Sequence, residues 1–101
     1  MAVADGAVVG YIAGHLTRRF ECDGEVQYLF VAPQYRRIGV AGQLLRAQGR
    51  WFREQGATKI CVNVDPANAV ACAFYERQGA RELRRAWYVW SDIESIVSGA
   101  A

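Results

Sequence analysis

The stretch that decides the fold is Val31-Ala-Pro-Gln-Tyr-Arg-Arg-Ile-Gly-Val-Ala-Gly42, which runs from a predicted strand into a predicted helix. Gly39 and Gly42 carry no side chain, so the main chain there can approach a ligand closely. A helix N-terminus presents unpaired N–H groups and the positive end of the helix dipole, which both favour phosphate. Arg36 and Arg37 add positive charge at the same place. The stretch predicts a pyrophosphate cradle, with a plain turn before a helix as the alternative.

Upstream of this stretch, the sequence predicts an antiparallel meander. Asp5-Gly6 and Asp23-Gly24 separate apolar runs, and Asp-Gly pairs favour hairpin turns because both residues tolerate a positive φ. Pro33 ends the last strand of the meander, since proline has no N–H to donate to a ladder. We expect the three strands over residues 2–4, 7–17 and 25–32.

Downstream, residues 41–55 change to the period of a helix, which Gly56 stops. The predicted buried stripe of this helix contains Leu44, Leu45, Gln48, Trp51 and Phe52. Residues 59–64 then alternate between apolar and smaller or polar side chains, as strands do. A strand, a helix and a further strand in this order predict a parallel crossover.

The last third of the chain predicts a helix and a strand. Asn68 is a good N-cap for a helix that ends at Gly79. Because residues 69–75 are all apolar, we expect this helix to be covered on most sides. Residues 87–90 predict the final strand, and residues 95–101 a frayed tail. The predicted fold is α+β, an antiparallel meander followed by β-α-β-α-β, in one domain over residues 1–101.

Composition excludes several classes of function. The chain of 101 residues has a net charge of +2, too small to indicate a nucleic-acid partner, and the short cluster of Arg81, Arg84 and Arg85 adds little. The longest apolar run, residues 69–75, is far shorter than the roughly 20 residues of a membrane span. We therefore expect neither a nucleic-acid nor a membrane partner.

The three cysteines, Cys22, Cys61 and Cys72, are too few for a disulfide scaffold. Free cysteines fit a reducing compartment, so we expect a cytoplasmic protein. With His15, the only histidine, they show none of the spacings that organise a metal site, so we expect no metal.

Two motifs resemble those of a known family. Residues 36–41, Arg-Arg-Ile-Gly-Val-Ala, match the Q/R-x-x-G-x-G/A motif of the GNAT superfamily of acetyl-CoA-dependent N-acetyltransferases. Residues 68–79 reproduce its N-x-x-A-x-x-F-Y-x-x-x-G pattern through Asn68, Ala71, Phe74, Tyr75 and Gly79. The resemblance runs from about Val3 to Ile93.

The resemblance implies an acetyl-CoA site between the third predicted strand and the strand over residues 59–64, which splay apart in the family's fold. The pantetheine arm would pair with the backbone of Leu29, Phe30 and Val31, as an added strand does. The residues implied in holding the pyrophosphate are Arg36, Arg37, Ile38, Gly39, Val40, Ala41 and Gly42. Asn68 and Phe74 are the remaining cofactor-binding residues that the second motif implies.

The same resemblance implies that Tyr75 donates a proton to the departing CoA thiolate, which is reasonable acid catalysis. The alternative for Tyr75 is a core aromatic beside Phe74. The base has more than one candidate. Glu25 is the candidate carboxylate, with an exposed charge at the start of a strand as the alternative. Histidine is a residue type suited to base catalysis near neutral pH, so His15 is a second candidate. A chain of water molecules can also carry the proton.

The sequence departs from the family at its N-terminal side. Family members usually have a further strand and one or two helices before the meander, and these commonly form one wall of the acceptor site. Without these elements the chain would expose an edge strand and an apolar face. Either it is a short or fragmentary member of the family, or a second copy supplies the cover, and we expect a homodimer. The predicted function is acetyl transfer from acetyl-CoA to a primary amine of a small molecule or peptide. The alternative is a catalytically silent module that binds acyl-CoA.

Overall fold

The computed structural model describes residues 2–4, 6–36 and 39–98; residues 1, 5, 37–38 and 99–101 lie outside this part. Within the described residues the chain forms a six-stranded sheet and three α-helices. The strands are β1 (Ala2–Ala4), β2 (Ala7–Leu16), β3 (Gly24–Val31), β4 (Ile60–Asn63), β5 (Arg81–Arg84) and β6 (Trp87–Trp90). The helices are α1 (Val40–Glu54), α2 (Ala69–Arg77) and α3 (Ile93–Val97). The predicted α+β fold is confirmed.

The strands lie in the order β1-β2-β3-β4-β6-β5. β1, β2 and β3 form the antiparallel meander. β3 and β4 are parallel on either side of α1 in the sequence, which confirms the parallel crossover. β6 is antiparallel to both β4 and β5.

The helices pack against one side of the sheet, which we call the helix face. A Cβ atom added at Gly24 would lie 2.5 Å from Cε1 of Phe52, so α1 presses directly on the strands where glycine leaves room. α2 packs on the same side through Tyr75, whose ring centroid is 5.7 Å from that of Trp90. The opposite side, which we call the second face, carries Glu25, Cys61 and Val89 on three neighbouring strands.

The β2–β3 connection folds over the second face. The predicted turn at Asp23-Gly24 is wrong, because Gly24 is already the first residue of β3 and the chain reverses earlier. Phe20 and Glu21, with φ of 54° and 62°, make this reversal in a short 3₁₀ helix. The first predicted turn is only partly described: Gly6 has a φ of 77°, and Asp5 lies outside the described residues.

β5 is an edge strand that the sequence did not predict. All four of its residues are exposed and only Leu83 is apolar, so no alternation marks it as a strand. The turn into β6 contains Ala86 at a φ of 70°, where glycine or asparagine would have signalled a hairpin. The predicted single final strand is therefore half of a β5–β6 hairpin.

The predicted frayed tail is wrong over the described residues 95–97, which belong to α3. Asp92 caps this helix by accepting from the N–H of Glu94 at 2.9 Å. Ile93 and Ile96 are buried, and Ile96 packs over Gly49 of α1. Residues 99–101 of the predicted tail lie outside the described residues.

Two predictions about buried helix surfaces are also wrong. α2 is not covered on most sides, since Val70 is 78% exposed and Tyr75 is its one buried residue among those described. In α1, Leu44, Leu45 and Phe52 are buried as predicted, but Trp51 is exposed. Gly49, which was not in the predicted stripe, is buried because α3 packs there.

Candidate active site

The sheet opens between β3 and β4. The two strands are paired only over Gly24–Val26 and Ile60–Val62, although β3 continues to Val31. At this level Gln27 is the extra residue of a β-bulge, because Ala13 pairs with Tyr28 and Gly14 with Val26. A β-bulge bends the strand that contains it, here β3, and increases the local twist. The gap therefore begins directly beyond the Val26–Val62 pair.

The N-terminus of α1 follows the other end of this open stretch of β3. Gly39 has a φ of 87° and is the cap residue of α1. The first main-chain bond of the helix runs from the N–H of Gln43 to the carbonyl of Gly39, at 3.0 Å. The N–H groups of Val40, Ala41 and Gly42 precede it, so they have no acceptor inside the helix. Within the described residues these three consecutive amides have no main-chain acceptor, so they are candidates to bind an anion.

Two arginines lie near the start of α1, one in the turn before it and one on its second turn. Nε of Arg36 donates to the carbonyl of Val31 at 2.9 Å, which ties the turn to the end of β3. Arg46 lies over the first turn of α1, with Nη1 3.2 Å from the position of a Cβ added at Gly42. The sequence predicted Arg36 but missed Arg46, whose spacing of four residues from Gly42 places it on the same side of the helix. Arg37 and Ile38, also predicted to hold the pyrophosphate, lie outside the described residues.

The residues predicted along the open stretch alternate between the two faces of the sheet. Leu29 packs against the core on the helix face, whereas Phe30 is 41% exposed on the second face beside Tyr11. Asn68 caps α2, with Oδ1 accepting from the N–H of Ala71 at 3.1 Å, as predicted. A cap can hold a ligand as well, so the structure leaves the binding role predicted for Asn68 untested.

Tyr75 is buried on the helix face, 6% exposed, in the cluster that contains Val26 and Val62. Its ring makes edge contacts with Phe74, at 5.2 Å between centroids, and with Trp90. Burial raises the pKa of Tyr75 to about 12. The phenol therefore carries its proton at neutral pH. Both predicted roles, core aromatic and proton donor, fit this position.

Glu25 lies on the second face, one residue before the last β3–β4 pair, and is 7% exposed. This rules out the exposed charge that the sequence offered as its alternative. Oε1 of Glu25 accepts from Nε of Arg19 at 3.0 Å, and Nε2 of His15 is 3.9 Å from Oε2. Arg19 also lies over the ring of Trp87, 5.0 Å from its centroid. The sequence missed Arg19, because its reach depends on the irregular β2–β3 connection.

Two clefts lie apart from these residues. One of about 340 Å³ lies between α2 and the β5–β6 hairpin and includes Cys72, Glu76 and Tyr88. The other, of about 290 Å³, lies where the β2–β3 connection meets the end of α1. Neither includes the amides of α1, Tyr75 or Glu25. The candidate site is an opening in the sheet rather than an enclosed cavity.

Within residues 2–4, 6–36 and 39–98, no group of three or more His, Cys, Asp or Glu side chains is arranged to hold a metal ion. Over the same residues, no helix has the length and apolar character needed to cross a membrane.

Two curated proteins are similar to this chain. An aminoglycoside N(6')-acetyltransferase type 1 from Salmonella typhimurium is 28% identical over 91 residues, which cover 84% of this chain and 63% of the relative. An N-alpha-acetyltransferase from Sulfurisphaera tokodaii is 29% identical over 111 residues, covering all of this chain and 66% of the relative. The chain thus spans a little under two thirds of the length of the curated relatives that it matches.

The fold is also similar to that of a solved structure, the PaiA N-acetyltransferase from Thermoplasma acidophilum in complex with coenzyme A. The TM-score is 0.69 at 18% identity, over 86% of this chain and 54% of that protein. The model of the acetyltransferase (GNAT) family matches residues 1–80, most of the chain. This match extends from β1 through the splayed strands and the open amides of α1 to the end of α2. The chain therefore belongs to the acetyltransferase (GNAT) family.

Proposed function

We propose that the chain transfers an acetyl group from acetyl-CoA directly to a primary amine of a small molecule or peptide. The observation that carries this proposal is the opening of the β3–β4 ladder beyond Val26 and Val62, which leads to the open amides of α1. Membership of the family and the coenzyme A named in the similar PaiA structure support acetyl-CoA as the donor. One relative is named for aminoglycosides and the other for N-alpha-acetylation, which supports an amine acceptor in either class.

In this proposal the amides of Val40, Ala41 and Gly42 bind the pyrophosphate, with Arg36 and Arg46 beside them. The N–H and carbonyl groups of Leu29, Phe30 and Val31 pair with the amides of the pantetheine arm. Asn68 and Phe74 border the arm from α2. The positive end of α1 and the two guanidinium groups favour a ligand with several negative charges.

The proposed chemistry places the two proton transfers on opposite faces of the sheet. Tyr75 packs with Val26 and Val62 on the helix face, and Glu25 lies on the second face at the same level. The amine attacks the thioester carbon from the second face, where Glu25 supplies negative charge. The thiolate leaves on the helix-face side and takes the proton of Tyr75. Removal of the amine proton on the second face is thus separated from proton donation by Tyr75 on the helix face.

The proposal is tested by a thiol-release assay with acetyl-CoA and a panel of amines, beside calorimetric titration with coenzyme A. We expect saturable binding of coenzyme A and thiol release that depends on the amine. Binding without thiol release for every amine would instead identify a silent acyl-CoA-binding module. Absence of binding would remove the basis of the proposal.

We also propose that two copies of the chain form a homodimer. Tyr11, Tyr28 and Phe30 expose 46%, 60% and 41% of their surface on the second face, and Val3 exposes 56% on the edge strand β1. Exposed apolar side chains of this size favour association. Light scattering after size-exclusion chromatography should give twice the chain mass of 11.2 kDa. A monomer at micromolar concentration contradicts the proposal.

A cytoplasmic location is a further proposal. Cys22 and Cys61 are free and buried, and burial raises the pKa of both thiols, that of Cys61 to about 12. Buried neutral thiols of this kind fit a reducing compartment. Cell fractionation with an antibody against the chain checks the location, and recovery in a membrane or secreted fraction contradicts it.

A further inference from the structure

His15, the one histidine of the sequence, lies on the second face beside the point where the sheet opens. It pairs with Glu25 in the β2–β3 ladder. The neighbouring residue of β3, Val26, forms the last pair with β4. The imidazole is therefore at the level where the gap begins, on the face from which the proposed amine attacks.

The hydrogen bond of the ring fixes which nitrogen can accept a proton. Nδ1 of His15 is 2.9 Å from the carbonyl oxygen of Leu16. A carbonyl oxygen can only accept, so Nδ1 carries the hydrogen and the lone pair of the neutral ring is on Nε2. The side chain is 45% exposed, so a substrate can reach this lone pair.

Glu25 is less free to accept the proton itself. One of its oxygens accepts from Arg19 at 3.0 Å, and its side chain is only 9% exposed. The other oxygen is 3.9 Å from Nε2 of His15, too long for a hydrogen bond but within reach of an ion pair once the ring is protonated. The other titratable groups on this face are Arg19 and Cys22 from the connection, Cys61 on β4, and the two exposed tyrosines Tyr11 and Tyr28.

We propose that Nε2 of His15 accepts the proton of the attacking amine and that Glu25 is a positioning residue that holds the resulting imidazolium. The inference rests on the proposed acetyl transfer. The amine nitrogen forms a bond to the thioester carbon, the carbon–sulfur bond breaks, and one amine proton moves to Nε2. The thiolate takes the proton of Tyr75, and the imidazolium and phenolate are reset through solvent. Overall, the amine loses one N–H bond and coenzyme A gains one S–H bond.

The first test needs no activity. A long-range ¹H–¹⁵N spectrum of the full chain resolves His15 without ambiguity, because the sequence has no other histidine. We expect the neutral ring to carry its hydrogen on Nδ1, whereas free histidine prefers Nε2. A neutral ring protonated on Nε2 overturns the inference, because no lone pair would then be available to the amine.

The second test compares His15→Gln with Glu25→Gln in the thiol-release assay across pH. We expect His15→Gln to lower kcat/KM roughly 100-fold. The pH profile is measured with trifluoroethylamine, which is already neutral near pH 7, so that its acid limb reports the enzyme and not the amine. This limb should disappear in His15→Gln. Glu25→Gln should reduce kcat/KM less than His15→Gln does and should keep the acid limb of the pH profile. Because Glu25 acts through His15, the double variant should be no slower than His15→Gln. Glu54→Gln, at the far end of α1, is the control.

The outcomes separate this inference from the proposed function. An active wild-type chain whose His15→Gln variant keeps its rate and acid limb overturns the role of His15 alone. Loss of the limb in Glu25→Gln, with His15→Gln unaffected, assigns the proton to the carboxylate instead. A wild-type chain that binds coenzyme A but acetylates no amine overturns the proposed function, and this inference with it.

Discussion

Val26 and Val62 form the last pair between β3 and β4, and β3 continues past them to Val31. Because parallel pairing ends there, the main-chain groups of β3 that face β4 are left to another partner. The same two valines pack with Tyr75, so the opening of the sheet and the proposed proton donor are held by one cluster. Changes at this opening should therefore affect coenzyme A binding and turnover.

Replacement of Tyr75 by Phe should lower kcat about 100-fold and leave the affinity for coenzyme A unchanged. The variant removes the hydroxyl that we propose as the proton donor, whereas it keeps the ring that packs on Trp90. Steady-state thiol release and calorimetry measure the two effects. Tyr88→Phe is the matched control, because it removes a hydroxyl bonded to Glu76, beside the α2 cleft. Equal rates for Tyr75→Phe and the wild type would show that Tyr75 is a core aromatic only.

Replacement of Gly39 by Ala should weaken coenzyme A binding about tenfold, a change of about 1.4 kcal/mol. Gly39 and Gly56 have φ of 87° and 79°, and nothing lies within 4 Å of a Cβ added at either. Both alanine variants should therefore lose about 1–2 kcal/mol of unfolding free energy from backbone strain alone. Only Gly39 precedes the open amides, so Gly56→Ala should bind normally. Equal affinities in calorimetry would place the pyrophosphate elsewhere.

Asp23 should stabilise the chain in a pH-dependent way. Its Oδ2 accepts from the N–H groups of Lys59 and Thr58 and from the Thr58 hydroxyl, which hold its pKa below the usual 3.8. A lowered pKa in the folded state means that the stabilisation is present above pH 3.8 and is lost as the pH falls through the folded pKa.

The corresponding variant is Asp23→Asn, which keeps an oxygen acceptor and removes the charge. We expect a loss of about 1 kcal/mol at pH 7, a small value because the carboxylate is only partly buried and solvent screens its charge, and convergence with the wild type in acid. Urea unfolding between pH 2 and pH 7 measures the difference. Glu21→Gln, in the same connection, is the control. A difference independent of pH would contradict the role of the charge.

Replacement of Gly49 by Ala tests the packing of α3. Alanine favours a helix over glycine by about 1 kcal/mol, so an uncovered site would be stabilised. Here a Cβ would lie 2.5 Å from Cγ2 of Ile96, so we expect a net loss of about 1–3 kcal/mol. Ile96→Ala should lose about 2–4 kcal/mol by leaving a cavity, and Gly49→Ala should then stabilise the double variant. Stabilisation by Gly49→Ala alone, in urea unfolding, would mean that α3 does not pack there.

The candidate site was predictable where a motif is continuous along the chain. The residues from Gly39 onward predicted the helix N-terminus, and Asn68 predicted the cap of α2. Both were predictable because caps and tight turns depend on residues that are neighbours in sequence. Arg19 was not predictable, since its contact with Glu25 requires Phe20 to adopt a φ of 54°. β5 was missed for the same kind of reason, as its four exposed residues gain their structure from β6.

The sequence by itself determined the meander, the parallel crossover and the start of α1, because hydrophobic period, glycine and proline act over a few residues. Only the tertiary structure decided that Glu25 is buried beside His15 and Arg19, that residues 93–97 pack on α1, and that α2 leaves Val70 exposed. These features depend on which side chains come into contact when the helices and the β2–β3 connection pack on the sheet. Such contacts join residues distant in sequence, and no local pattern encodes them.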